Sequence, residues 1–315
     1  MKPLPYHITN ERSLRAMTGV TANIFFILLE VFSIHSRDAK EQRCKPLLLR
    51  KRAVGGGNKS KLPSPTHELI FILFYLKTYP TYDVLATRFG MSRGIAFKQV
   101  QEQLKQLRQS LIDLEVVPQR SFASPQDFKD YCHKNNITEM LLDATERGHF
   151  KYKDKDLKNA TYSGQKKDYK TKNTIMTTPN KYTHYLGPTT QGSCHDYFMF
   201  MLEFPERYKN WFSDIELSAD LGYIGLKKDY KNFIKLHIPQ KKKKGQEHLT
   251  EEQKEHNKSV GKRRVFVENA IAGFKRFFVL VNTFRNKLLN FDDMVIEIAT
   301  SLNNLKTLFK VAFQF

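Results

Sequence analysis

The chain has 315 residues, enough for one large core or two modest ones, and its 40% hydrophobic content calls for no disulfide or structural metal to hold it folded. A balance of 52 Lys and Arg against 32 Asp and Glu leaves a formal charge of +20, spread along nearly the whole length, which points to a polyanionic partner, nucleic acid first. Cys44, Cys132 and Cys194 lie far apart without a CxxC pair, so neither a disulfide framework nor a zinc knuckle is supported, and a reducing compartment is expected.

In chain order, the opening MKPLPYHITNERS lacks a signal-peptide pattern. Ile8 to Ile34 reads as one helix with Leu14, Met17, Phe25, Leu28, Leu29 and Phe32 on its apolar face. Its most apolar part, Val20 to Ile34, is short of a membrane span and contains Glu30, so a buried helix and no membrane partner are expected. Arg37 to Pro63, with its RKR and GGG runs, reads as a flexible basic linker. Three helices follow, over Pro65 to Lys77, Tyr82 to Arg88 after a Thr81 cap, and from Ser92 to about Ile112. Phe89-Gly90-Met91 supplies the turn between the last two. In the third helix Ala96, Val100, Leu104, Leu107 and Leu111 keep helical spacing while Arg93 and Lys98 project elsewhere. This is helix-turn-helix patterning, with Arg93 and Lys98 as candidate DNA contacts, although plain helix packing produces similar spacing.

Beyond Pro118 the pattern changes to strands, at Ile137 to Leu142, Lys170 to Thr178, Tyr182 to Gly187, Ile215 to Ala219 and Phe233 to Ile238. Helices are expected at Tyr197 to Phe204, Arg207 to Phe212, Arg264 to Leu280 and Phe291 to Phe309. Gln240 to Gly261 reads for the most part as a solvated loop, although its four lysines at 241–244 would also suit a DNA phosphate backbone. The order suits a three-layer α/β domain over 118–315, preceded by an N-terminal helix and linker over 1–60 and an all-α helix-turn-helix region over 61–117.

Four acids stand at the ends of apolar runs: Asp143 in MLLDATE, Asp196 in GSCHDYFMF, Asp220 in LSADLGYIG and Glu268 in RRVFVENAIAGFKRF. Each has a plain alternative. Asp143 and Asp220 suit turns, Asp196 suits the first turn of a helix, and Glu268 suits a surface pair with Arg264. Arg264, Glu268, Ile271 and Lys275 share one helical stripe, so a base flanks the acid on either side. His195 suits a hydrogen-bonded structural role, Tyr223 packing, and Trp211 with Phe212 the core.

Taken together these segments resemble the DDE superfamily of bacterial insertion-sequence transposases, related to Harbinger transposases, over roughly Lys61 to Lys306. The carriers are LLDATE at 141–146, YSGQKKDYK at 162–170, GSCHD at 192–196, ADLGYIG at 219–225 and RRVFVENAIAGFKRF at 263–277. Ala144, Leu221 and Asp168 depart from the usual pattern without removing an acid. The resemblance implies a ribonuclease-H-like catalytic domain and a DNA transposase. It assigns Asp143, Asp196, Asp220 and Glu268 to metal, with Asp143, Asp220 and Glu268 catalytic, and Mg²⁺ or Mn²⁺, two ions, as cofactor. Lys166, Lys167, Arg264 and Lys275 become candidate DNA contacts. Double-stranded DNA ends and target are the implied partners, a homodimer or larger the working complex, and a bacterial cytoplasm, associated with the nucleoid, the location. A non-catalytic DNA-binding derivative and a plain structure-selective nuclease suit the same sequence less well.

Overall fold

The computed structural model describes residues 4–42, 59–164, 166–242 and 246–312. The chain divides into two compact units, one of Met1–Val117, Arg276–Asn282 and Met294–Phe315, the other of Pro118–Lys275 and Thr283–Asp293.

The first unit is helical. The single helix expected over Ile8 to Ile34 is two, α1 (Glu11–Thr18) and α2 (Ala22–Gln42), because Gly19 takes a left-handed φ of 76° and closes α1 with its N–H on the Arg15 carbonyl. The start of the expected linker, Arg37 to Gln42, continues α2, and most of the remainder lies outside the described residues. Ile24, Phe25, Leu28 and Phe32 of α2 are buried, as an amphipathic core helix requires. Among the described residues no single helix is long and apolar enough to cross a membrane. The next helix, α3 (Pro65–Thr78), is buried almost all round from Leu69 to Leu73 and forms the centre of the unit, packing on α1, α2 and α5.

Helices α4 (Tyr82–Phe89) and α5 (Arg93–Asp113) match the expected pair to within one residue. Thr81 and Ser92 cap them by accepting from Val84 N and Ile95 N, and Gly90, at φ 65°, makes the turn. Ala96, Val100, Leu104, Leu107 and Leu111, the helically spaced apolar positions of α5, are all buried, while Arg93 and Lys98 are exposed. The body of α11 (Phe291–Ala312) completes this unit, with Glu297 receiving Arg108 and Asn304 donating to the Val116 carbonyl at 3.0 Å.

The second unit is built on a mixed sheet of β1 (Glu139–Gly148), β2 (Tyr162–Ser163), β3 (Asp168–Thr177), β4 (Thr183–Leu186), β5 (Thr190–Gln191), β6 (Glu216–Ser218) and β7 (Lys235–His237). Its path runs β2-β3-β1-β6-β7, with β4 and β5 also on β3; β1 pairs antiparallel with β3 and parallel with β6, and β6 pairs parallel with β7. Helices α6 (Pro125–Lys134) and α8 (Asp196–Glu203) contribute to an aromatic core in which Phe128, Phe200, Phe204, Trp211, Phe212 and Tyr223 meet the sheet residues Met140, Leu142, Leu217 and Ala219. Trp211, Phe212 and Tyr223 are core residues as expected.

Three expectations are corrected. Arg207 to Phe212 is a run of turns, because Trp211 is held by its indole N–H on the Pro205 carbonyl at 3.1 Å and not by a helical ladder. β1 continues six residues past Leu142, since β3 pairs with it as far as Gly148. The supposed loop before Gly261 is already helix, α10 (Glu251–Lys275), opened by a reciprocal cap in which Thr250 Oγ1 accepts from Gln253 N and Gln253 Oε1 accepts from Thr250 N. Short helices α7 (Lys155–Thr161) and α9 (Leu226–Asp229) carry too few apolar positions to show a period.

Gly192 lets the chain turn into α8. A Cβ there would lie 2.6 Å from the Lys170 carbonyl oxygen and 2.7 Å from that of Thr161, both backbone atoms of packed elements. Gly192→Ala is expected to destabilise the chain by about 1–3 kcal/mol, read as a lower urea midpoint at unchanged slope; an unchanged midpoint would mean that the turn relaxes freely.

Candidate active site

Register sets the first two acids. In the parallel β1–β6 pair Leu141 stands opposite Ser218, the last residue of β6, so Asp143, two residues further along β1, and Asp220, two residues past β6, leave this pair at the same end. Side chains alternate, so Met140 and Leu142, Leu217 and Ala219 enter the aromatic core while Asp143 and Asp220 share the opposite face. Asp143 is therefore mid-strand and not a turn residue. Its Oδ1 accepts from Ala144 N at 2.8 Å. Asp220 does cap a turn, accepting from Gly222 N at 2.7 Å at the start of a single 3₁₀ turn, Leu221–Tyr223, and this fixes its carboxylate just past the strand.

Helix α10 packs along that face, touching β1, β3 and β6. Arg263 reaches Glu139 at the start of β1, and Glu216 at 3.3 Å at the start of β6; Glu216 also meets His237 of β7 at 2.9 Å. At the other end Lys275 donates to the Glu146 carbonyl at 3.0 Å. The helix is thus fastened to both ends of β1, and Arg264 and Glu268 fall between the fastenings along it. Arg264 Nη2 pairs with Glu268 Oε1 at 3.5 Å, and the Glu268 side chain is 55% exposed. Arg264 and Lys275, expected as DNA contacts, thus also bind within the protein, Arg264 to Glu268 and Lys275 to the Glu146 carbonyl.

Asp196 opens α8 as its first-turn acid, after His195, whose Nδ1 caps the helix by accepting from Tyr197 N at 3.2 Å. Its carboxylate is held by Lys172, whose ammonium donates to Asp196 Oδ1 at 3.0 Å and to the Cys194 carbonyl at 3.1 Å and pairs with Glu146 at 3.3 Å. Lys172 is nearly buried, and the neighbouring acids raise its pKa against the opposing effect of burial. Sequence reading passed over Lys172 and Glu146, although Glu146 sits in the LLDATE segment and Lys172 alternates with Lys170 along a strand.

The electrostatics tie the acids together. Burial pushes the Asp143 carboxyl up to about 6; like charge from Asp220 and Asp196 adds to this, while the Ala144 N–H and the Arg264 guanidinium oppose it. Asp143, Asp196 and Asp220 thus form one field, and Glu268 is linked to it through Arg264, which pairs with Glu268 and also acts on Asp143. Among the described residues no three His, Cys, Asp or Glu side chains form a ready cage for a metal ion. The donor set still fits a hard divalent cation of the Mg²⁺ kind, which takes one or two carboxylates and leaves its other positions to water and phosphate oxygens.

The remaining candidates lie at the surface. Lys166 and Lys167 are exposed in the turn before β3, and Arg93 at the start of α5 is 73% exposed, with Asp83 3.9 Å away.

A family model described as DDE superfamily endonuclease matches residues 142–304, more than half of the chain. The chain belongs to the DDE superfamily endonucleases. A second model, the helix-turn-helix of DDE superfamily endonuclease, matches residues 60–110, which span α3, α4 and most of α5. A probable transposase for insertion sequence element IS702 from Microchaete diplosiphon is 22% identical over 281 residues, covering 88% of each chain. No solved structure matches. The mixed sheet flanked by helices is accordingly the ribonuclease-H-like domain of a DDE endonuclease, the helical region carries its helix-turn-helix, and DNA is the partner that both imply.

The raised carboxyls set a pH dependence. Asp143 titrates near 6 folded against 3.8 in its ordinary state, and Glu203, buried beside Thr174 and Tyr185, titrates near 7 against 4.5. Both folded values are raised, so the stability contributed by the neutral carboxyls is complete below about pH 4 and is lost as pH rises through 6 to 7. In the absence of metal, the melting temperature is expected to fall between pH 5 and 7.5. Asp143→Asn should fall less and be the more stable at pH 7.5, by up to about 3 kcal/mol. A less stable Asp143→Asn at that pH would make Asp143 a structural acid.

Proposed function

We propose that this DDE endonuclease is the transposase of an insertion sequence, cutting DNA at the element's ends and joining the freed ends to target DNA. The observation that carries the reading is that Asp143 on β1 and Asp220 just past the end of the adjacent parallel strand β6 feel each other's charge, with Asp196 inside the same field and Glu268 on the helix packed against β1. Asp143, Asp196, Asp220 and Glu268 would hold Mg²⁺ or Mn²⁺, as two ions, with Asp143, Asp220 and Glu268 indispensable. Bound ions of this kind supply activation of the attacking oxygen and charge relief at the leaving one.

The chain's own residues prepare that chemistry. The β1–β6 register keeps two carboxylates together in a partly buried place that costs free energy until positive charge arrives. Lys172 holds Asp196 in place, and Arg264 pairs with Glu268. In the first reaction a water oxygen bonds to phosphorus as the P–O3′ bond breaks, leaving a 3′-hydroxyl and a 5′-phosphate. In the second, that 3′-oxygen bonds to a target phosphorus and displaces the target's own 3′-oxygen, so no covalent protein–DNA intermediate is required.

The helix-turn-helix within 61–117 reads the terminal repeats, with Arg93 and Lys98 of α5 at the groove and Lys166 and Lys167 on phosphate. The domain from 118 carries the chemistry. Two ends cut together call for at least a homodimer in the working complex, and a chromosomal substrate places the reaction at the bacterial nucleoid.

With DNA carrying the element's ends and Mg²⁺ or Mn²⁺, Asp143→Asn, Asp220→Asn and Glu268→Gln are each expected to lower cleavage on the order of a hundredfold or more while end binding is kept. Arg93→Ala should weaken end binding and leave residual cleavage metal-dependent. Specific binding by the native chain with no cleavage would make it a DNA-binding derivative, and cleavage with no joined product would make it a nuclease only.

A further inference from the structure

Within the first unit, and sharing no residue with α4 or α5, a cavity of about 590 Å³ opens beside α1. Arg12, Arg15, Lys77, Arg276 and Lys306 line it, against a single carboxylate, Glu11. That carboxylate is already used: it accepts from Ala22 N at 3.2 Å and so caps α2.

Lys77 and Arg276 are held by backbone and aromatic contacts. Lys77 donates to the Arg276 carbonyl at 2.9 Å and lies over the Phe278 ring, and the Arg276 guanidinium lies over the Phe277 ring. Among the described residues no ion pair closes on Arg12, Arg15, Lys77 or Arg276, and Arg276 Nε and Nη2 are buried with no hydrogen-bond partner. Buried guanidinium N–H groups normally have one, since an unmade bond there leaves the desolvation of a charged donor uncompensated. Burial, and then Arg15, brings Arg276 down to about 10; burial, and then Arg276, lowers Lys77. An anion with several oxygens would answer both the orphaned donors and the crowded charge.

We propose that this pocket is a phosphate-binding site that grips the DNA backbone, a contact separate from the face of α5. Phosphate suits it because Arg276 offers two unmet N–H donors in a fixed fork beside a second and third cation. The backbone of duplex DNA is the source favoured by the chain's charge of +20 and by the helix-turn-helix in the same unit. The inference rests on the DNA-handling reading above and adds a site to it.

The test uses the full chain, a short duplex lacking the element's ends, and fluorescence anisotropy across a salt series. Arg15→Ala, at an exposed position that leaves the fold intact, and Arg276→Gln are each expected to weaken binding severalfold and lower the log–log salt slope by about 0.9, one phosphate contact. Arg15→Lys should restore most of the slope. Inorganic phosphate should raise the melting temperature of the native chain, and Arg276→Gln should abolish that rise. Unchanged affinity and slope in Arg15→Ala overturns the site as a DNA contact. If phosphate still protects the native chain in that case, the pocket takes small free phosphates instead. A native chain that binds no duplex at all overturns the DNA-handling reading itself, a different result from native binding that the variants leave untouched.

Discussion

The parallel register between β1 and β6 is the constraint on which the site depends. Because Leu141 faces Ser218, Asp143 and Asp220 leave the strand pair at the same end, and alternation puts both on the face away from the aromatic core. A slip of one residue would send one of them into that core among Phe200, Phe212 and Trp211, where an unpaired carboxylate costs several kcal/mol. The packing that stabilises the domain is therefore also what selects the register that brings the acids together. Arg263, bridging Glu139 and Glu216 at the starts of both strands, fastens the same register from the other face.

Around that pair the protein spends its buried cations on holding acids and backbone. Lys172 ties Asp196 to Glu146, Arg264 ties Glu268, and Lys275 fastens α10 to the end of β1. Arg147, fully enclosed, does comparable work further along β1, donating to Asn173 at 2.8 Å and to the Asp292 carbonyl at 2.9 Å. Open cations lie elsewhere, on α1, on the turn before β3 and on α5. The large net charge thus divides into an inner set that supports the acidic site and an outer set available to phosphate.

Much of this was legible in the sequence. The helix-turn-helix boundaries came out within a residue because Thr81, Gly90 and Ser92 are strong local signals that tertiary packing did not override. The five principal strands were recognisable by apolar run and alternation, and the four acids by their surrounding motifs. What failed had physical causes. A break at Gly19 is invisible to periodicity when both flanking helices are amphipathic. The start of α10 was hidden by its charged composition, though Thr250 and Gln253 formed a readable capping box. The roles of Lys172 and Glu146 depend on strand pairing, Glu146 opposite Lys172, which no local pattern encodes.

The central claim is that Asp143 and Asp220, brought to the same end of their strand pair, are the place where divalent metal meets this chain. Anomalous diffraction from crystals grown with Mn²⁺ and a duplex carrying the element's ends would locate the metal directly. The account predicts a peak bonded to Asp143 and Asp220, with Asp196 or Glu268 drawn towards it from Lys172 or Arg264. A well-bound Mn²⁺ elsewhere in the chain, with Asp143 and Asp220 still facing only protein and solvent, would contradict it.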